Sequence, residues 1–219
     1  QGSQMVSKNT ASGTAVIPFD QYSFFQTGVA NNNNISLSNG NDKSSFRVSL
    51  GNLKQTGIIP NSDYRKTNFS MNGMMDLSSK LKIQGGVNYV NSRTDKVQQG
   101  SNISSVMLGL LRTPPTFDNS YGQKNPVDST AYVLPDGTQR DYRGGPGYDN
   151  PYWTVNRNPF ISQLNHVFGY SQADYHLFDW VDLTYRLGGD IYWQDDKNAY
   201  DIGSNAFNTG AIFMNQYFN

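Results

Sequence analysis

The clearest pattern in the chain lies between residues 64 and 92. Phe69, Met71, Gly73, Met75 and Leu77 alternate with Asn68, Ser70, Asn72, Met74 and Asp76. After Ser78, Ser79 and Lys80 the rhythm resumes, with Leu81, Ile83, Gly85, Val87 and Tyr89 set against Lys82, Gln84, Gly86 and Asn88. A period of two puts each set on one face of a strand, so the stretch predicts a β-hairpin with an apolar face and a polar face. Each arm alternates for about a dozen residues, twice the usual globular strand and enough for the roughly 9–11 tilted residues that cross a bilayer.

The same alternation predicts strands at 33–40 (Ile35, Leu37) and 45–53 (Phe46, Val48, Leu50). It returns at 167–177, then at 181–193 (Val181, Leu183, Tyr185, Leu187, Gly189, Ile191, Trp193), and again from residue 211 (Ile212, Met214). Short connections (41–43, 78–80, 178–180) take turns with long ones (55–63, 94–160, 195–209), the rhythm of an outer-membrane barrel. Aromatic residues on the apolar face fall near strand ends, as in interfacial girdles: Phe46, Tyr175 and the turn residue Trp180 at one end, Tyr89 and Trp193 at the other. A one-residue slip would turn Arg47, Arg186 and Asp190 into lipid, at about 2–4 kcal/mol for each Arg near the midplane, so the register is strongly specified. Residues 103–111 read as the one short helix. The expectation is an all-β chain: an antiparallel transmembrane β-barrel segment of about seven strands, incomplete as a barrel, with long extracellular loops. Residues 1–32 read as a linker and 33–219 as barrel. The alternative is a soluble β-sandwich acting as a carbohydrate-binding module, whose strands also alternate.

Composition narrows this. Hydrophobic residues make up 36%, and no apolar run is long enough for a membrane-spanning helix, which leaves barrel strands possible. All 17 acidic residues are Asp, and 25 Asn and 14 Gln outnumber 9 Lys and 8 Arg, a preference for turn and strand chemistry over helix formers. Net charge is zero, so no nucleic-acid footprint is present. The opening residues lack the apolar core of a signal peptide and the chain stops within an alternating strand, so it reads as a piece of a longer protein.

Six stretches in order resemble the SusC/RagA-type TonB-dependent outer-membrane transporters. They are FFQTG (24–28), SLSNGNDKSSF (36–46), QTGIIPNSD (55–63), LLRTPP (110–115), DNPYW (149–153) with Asn156, and YRLGGD (185–190). The chain departs from the usual pattern at His166, where the family more often has Arg. The resemblance implies a 22-stranded barrel filled by an N-terminal plug, of which this chain would supply the plug-to-barrel linker (1–32) and the first strands. It implies a SusD-like surface lipoprotein as lid, a TonB complex acting through the plug, and import of an oligosaccharide or peptide. The place would be the outer membrane of a Gram-negative bacterium, with lipid against the apolar face.

Catalytic raw material is poor. With no Cys, no Glu and two His, neither a Cys–His site nor a paired-Glu site can be built. Asp195 and Asp196 are adjacent and point to opposite faces of a strand. Asp196, Asn198 and Asp201 lack the spacing of a calcium loop. His166 and His176 share the parity of the polar face, and no metal or other cofactor is expected. The chain is not expected to be an enzyme. The loop at 94–160 carries the best binding chemistry, because aromatic faces beside Arg, Asp and Asn suit a sugar or a peptide. The candidate substrate-binding residues are Arg112, Phe117, Tyr142, Arg143, Tyr152 and Trp153.

Overall fold

The computed structural model describes residues 5–6, 15–16, 18–98, 103–123, 128–143 and 147–219. Two short strands, β1 (Met5–Val6) and β2 (Ala15–Val16), pair with each other. Seven long ones follow: β3 (Ala30–Asn41), β4 (Ser44–Thr56), β5 (Asp63–Asp76), β6 (Leu81–Lys96), β7 (Phe160–Phe178), β8 (Val181–Tyr200) and β9 (Ala211–Phe218). They form one antiparallel sheet in which every strand lies beside its sequence neighbours.

The register carries the alternation across the sheet. Directly opposed residues share a face, and one row runs Ile35, Leu50, Phe69, Tyr89, Val167, Ile191 from β3 to β8. The next row runs Leu37, Val48, Met71, Val87, Gly169, Gly189. The opposite face carries Ser36, Ser49, Ser70, Asn88, Phe168 and Asp190 in register. Its side chains bond to one another. Ser49 and Ser70 meet at 2.6 Å, Arg186 Nε donates to Gln172 at 2.6 Å, and Thr184 donates to Asp174 at 2.7 Å. His166 contacts Asp190 at 2.7 Å and His176 contacts Asp182 at 2.5 Å. Arg47, Arg186 and Asp190 all stand on this polar face.

Nothing among the described residues covers the apolar face. Leu37, Leu50, Met71, Val87, Leu187 and Ile191 remain exposed. A sandwich needs a second sheet packed about 10 Å away over such a face, and the two-residue pair β1–β2 is too small to supply it.

Three boundaries differ from expectation. β3 starts at Ala30, within the expected linker. β7 starts at Phe160 rather than Val167, and β8 continues to Tyr200 through residues expected in a loop. At that end both faces are polar (Gln163, Asn165, Asp195, Asp196, Lys197), so the strands outrun their apolar band and alternation no longer marks them. Asp195 and Asp196 are strand residues, opposed by Gln163 and Ser162.

The helix content is also corrected: among the described residues two α-helices occur where one was expected. α1 (Val106–Arg112) buries Val106, Gly109 and Leu110, an i, i+3, i+4 face, and stops before Pro114, which disfavours helix in the residue preceding it. α2 (Pro151–Arg157) was not anticipated, although its start has a helix signature. Asn150 is the N-cap, its side chain accepting from Tyr152 N–H at 2.9 Å, and Pro151 occupies the first turn, where no N–H is needed.

The hydrophobic core lies outside the sheet. Its buried members are Phe24, Val106, Leu110, Ala131, Tyr132, Tyr152 and Trp153, with Phe25, Ile59, Val97, Val133 and Val155 packed against them. All come from the segment before β3 or from the β4–β5 and β6–β7 connections. Antiparallel order puts these at one end of the sheet, where they build a folded cap.

Candidate functional site

The cap is assembled from segments distant in sequence. A 3₁₀ turn at Gln21–Phe24 brings Phe24 edge-on to Tyr152, with ring centroids 4.9 Å apart. Gln21 Nε2 donates to the carbonyls of Pro114 (3.2 Å) and Phe117 (3.1 Å), and its Oε1 accepts from Asn119 (3.1 Å). Gln26 is tied to the β4–β5 connection, its N–H to Ile58 O at 2.8 Å and its side chain to Gly57 O at 2.9 Å. Asn61 donates to Val155 O (3.1 Å) and Asn156 Oδ1 (2.9 Å). Four of the six stretches that carry the sequence resemblance therefore meet in this cap.

Beneath them lies a buried polar network. Asp149 Oδ1 accepts from Gln139 Nε2 (2.6 Å), Asn205 N–H (2.8 Å) and Asn205 Nδ2 (2.7 Å). Burial pushes the Asp149 carboxyl above the ordinary carboxylate range, opposed by hydrogen bonds from Gln139, Ser104 and Asn205. Asn150 Nδ2 donates to Asn119 O (3.0 Å) and Arg140 O (2.7 Å). Trp153 Nε1 donates to Ser204 Oγ, which in turn donates to Asn158 Oδ1. These bonds join the β6–β7 connection to the β8–β9 connection.

The six candidate binding residues separate into two groups. Tyr152 and Trp153 are each 2% exposed and belong to the core of the cap, so their rings have no free face for a ligand. Burial also pushes the Tyr152 phenol up to about 12, with Asp118 adding to the rise. The other four stand in an outer layer of guanidinium groups and rings. Arg112 lies 5.6 Å from the centroid of Tyr148, and Arg143 lies 5.1 Å from that ring and 5.3 Å from Tyr142. Tyr142 meets Phe117 edge-on at 6.5 Å, and Arg140 sits over Phe117 (4.5 Å) and Tyr121 (4.7 Å). Arg140 is half-buried and anchored through Nη1 to Asp118 O at 2.7 Å; desolvation pulls it below the ordinary guanidinium value, opposed by Asp118 and Tyr121. Tyr148 is the member the candidate set lacks. By residue type it is one of the flat aromatic faces of this loop, and what sets it apart is the pair of arginines that converge on it.

An antiparallel sheet with one bare apolar face, one hydrogen-bonded polar face, short turns at one end and a folded loop cap at the other has the form of a β-barrel wall. No protein-family profile matches the chain. Over 140 residues it is 25% identical to the TonB-dependent receptor SusC of Bacteroides thetaiotaomicron, a match covering 64% of this chain and 13% of that protein. It resembles the structure of the RagAB peptide importer in the "closed-closed" state, with a TM-score of 0.67 and 17% identity over 100% of this chain and 23% of that one. A structure of the RagAB peptide transporter also gives a TM-score of 0.67, at 15% identity, covering 98% of this chain and 23% of that one. The chain thus spans about an eighth of the curated relative and under a quarter of the solved chains. The segment resembles a TonB-dependent receptor in sequence and the RagAB transporter chains in fold.

Proposed function

We propose that this chain forms part of the wall and outer cap of an outer-membrane active transporter. It would import oligosaccharide or peptide nutrients with energy delivered by TonB. The residues before β3 are the linker from a plug and those from β3 onward the first part of the barrel, with the β6–β7 connection facing the cell exterior in a Gram-negative bacterium. A SusD-like lipoprotein seats over the cap, and lipid surrounds the apolar face. The observation that carries this reading is the division of the chain: a sheet with its apolar face bare and in register, and a buried core confined to the loops at one end. The similar proteins are a receptor and a transporter, and no catalytic role is proposed.

The segment has no cysteine, so single cysteines report cleanly once any elsewhere in the full-length parent are removed. Cysteines at Met71 and Val87 should resist an aqueous maleimide in intact outer membranes, whereas Asn88 should label once the barrel interior is opened to water. Equal labelling at all three would overturn the wall assignment. Uptake of labelled peptide and oligosaccharide mixtures should stop when TonB is deleted, and TonB-independent uptake would overturn the energy coupling.

A further inference from the structure

We infer that Arg112 and Arg143, which share the Tyr148 ring, form a clamp for carboxylates on an acidic peptide. The inference rests on the import reading above and specifies its substrate. Three exposed arginines elsewhere have a carboxylate beside them, Arg65 at 3.9 Å from Asp63, Arg93 at 2.9 Å from Asp95 and Arg157 at 3.3 Å from Asp201, while Arg47 and Arg186 bond to Ser36 and Gln172 on the polar face of the sheet. Among the described residues Arg112, Arg140 and Arg143 have no carboxylate within ion-pair distance, and aromatic rings hold them instead. A ring orients a guanidinium without neutralising it, leaving the N–H edge free for a planar anion. Arg143 uses Nε on the Tyr142 hydroxyl at 2.8 Å, which leaves its two terminal nitrogens for a ligand. Arg112 ends α1, exposed.

Arg140 does not belong to the clamp. Its Nη1 is engaged by the carbonyls of Asp118 and Ala131, so it positions Phe117 and Tyr121. Asp141 lies two residues before Arg143 in the loop. Its Oδ1 accepts from the Arg143 backbone N–H at 2.8 Å, which fixes the turn. The occupant follows from what the rings are doing. Tyr148 and Tyr142 already hold guanidinium groups, so flat stacking on a sugar is not their role here. What the layer offers is directed N–H donors on two cations that share one ring, the complement of carboxylates along a short extended peptide.

The test uses the full-length transporter purified with its surface lipoprotein. The probes are a labelled pentapeptide with two aspartates, the same pentapeptide with two asparagines, and a uronate disaccharide. The aspartate peptide should bind at least tenfold more tightly than the asparagine peptide, and the margin should shrink as salt rises. Arg112→Gln with Arg143→Gln should remove that margin while leaving the asparagine peptide unchanged. Arg143→Lys, which keeps charge and loses the fork, should remove part of it. Equal affinity for the two peptides in the parent protein, equal losses for both in the double variant, or tight binding of the uronate alone would overturn the clamp. Binding is read without TonB, so failed uptake with intact discrimination would count against import and for the clamp.

Discussion

Trp153 donates its indole N–H to Ser204 Oγ at 2.9 Å across 51 residues of sequence. This bond fastens the helix of one connection to the turn of another, with both partners buried. Trp153→Ala should cost the cap about 3–5 kcal/mol, the usual penalty for truncating a buried aromatic. Ser204→Ala should cost about 1–3 kcal/mol by leaving the indole N–H unsatisfied. Native-state hydrogen exchange of α2 amides in the full-length protein measures both, and unchanged protection would show that the cap is held elsewhere.

Asn150 separates a capping role from a bridging one. Asp is as good an N-cap as Asn, so Asn150→Asp would be neutral if capping α2 were the whole role. Its Nδ2, however, donates to the carbonyls of Asn119 and Arg140. Replacing that donor with a carboxylate oxygen sets three acceptors together in a buried site. The expected loss is at least about 2 kcal/mol, seen as faster proteolysis of the 113–150 region; a neutral result would reduce Asn150 to a cap.

Asp149 should give the cap an unusual pH response. Its native value is raised by burial, so the folded state binds the proton more tightly than the unfolded chain does. The resulting stabilisation is complete below the unfolded value of about 3.9 and is lost as pH rises through the native value. Asp128 and Asp136 have the opposite sign, their values lowered by hydrogen bonds from Thr130 and Thr138 respectively. The difference between parent and Asp149→Asn isolates the Asp149 contribution. Relative to the variant, the parent cap should lose protection as pH rises from about 4 through the raised native value. A difference that does not vary with pH would show that Asp149 carries no such linkage.

Gly109→Ala tests the packing of α1 on the start of α2. In a helix interior this substitution normally helps by about 1 kcal/mol. Here a Cβ at position 109 would collide with the Asp149 carbonyl oxygen, a backbone atom. Overpacking of this kind costs about 1–3 kcal/mol, so the net effect should be destabilising, measured by exchange protection in α1. A gain would mean the two helices can separate freely.

Val87 and Asn88 are consecutive in β6 and face opposite ways. Val87→Arg should cost about 2–4 kcal/mol in a bilayer, whereas Asn88→Arg should stay within roughly 0.5 kcal/mol. Heat-modifiable migration and the yield of assembled protein report the difference. Equal behaviour would place both residues in water.

The sheet could be read from the chain because its signal is local. A period of two across residues 64–92 records which neighbour faces which solvent, and antiparallel pairing of consecutive strands adds little that the short turns do not already imply. That reading weakened where the strands leave the apolar band: at Asp195–Lys197 both faces meet polar surroundings, and alternation carries no information there.

The cap was beyond such reading. Arg112, Phe117, Tyr142 and Arg143 could be picked out by residue type, and they do stand together in its outer layer. Tyr152 and Trp153 have the same chemistry and lie in its core, because Phe24, Leu110 and Ser204 close over them from distant parts of the chain. Periodicity reports the solvent along one strand; burial in an irregular loop is set by contacts about 40 to 130 residues apart. The chain alone therefore determined the two-faced wall, while only the tertiary structure decided which aromatic residues fill the core of the cap and which stand in its outer layer.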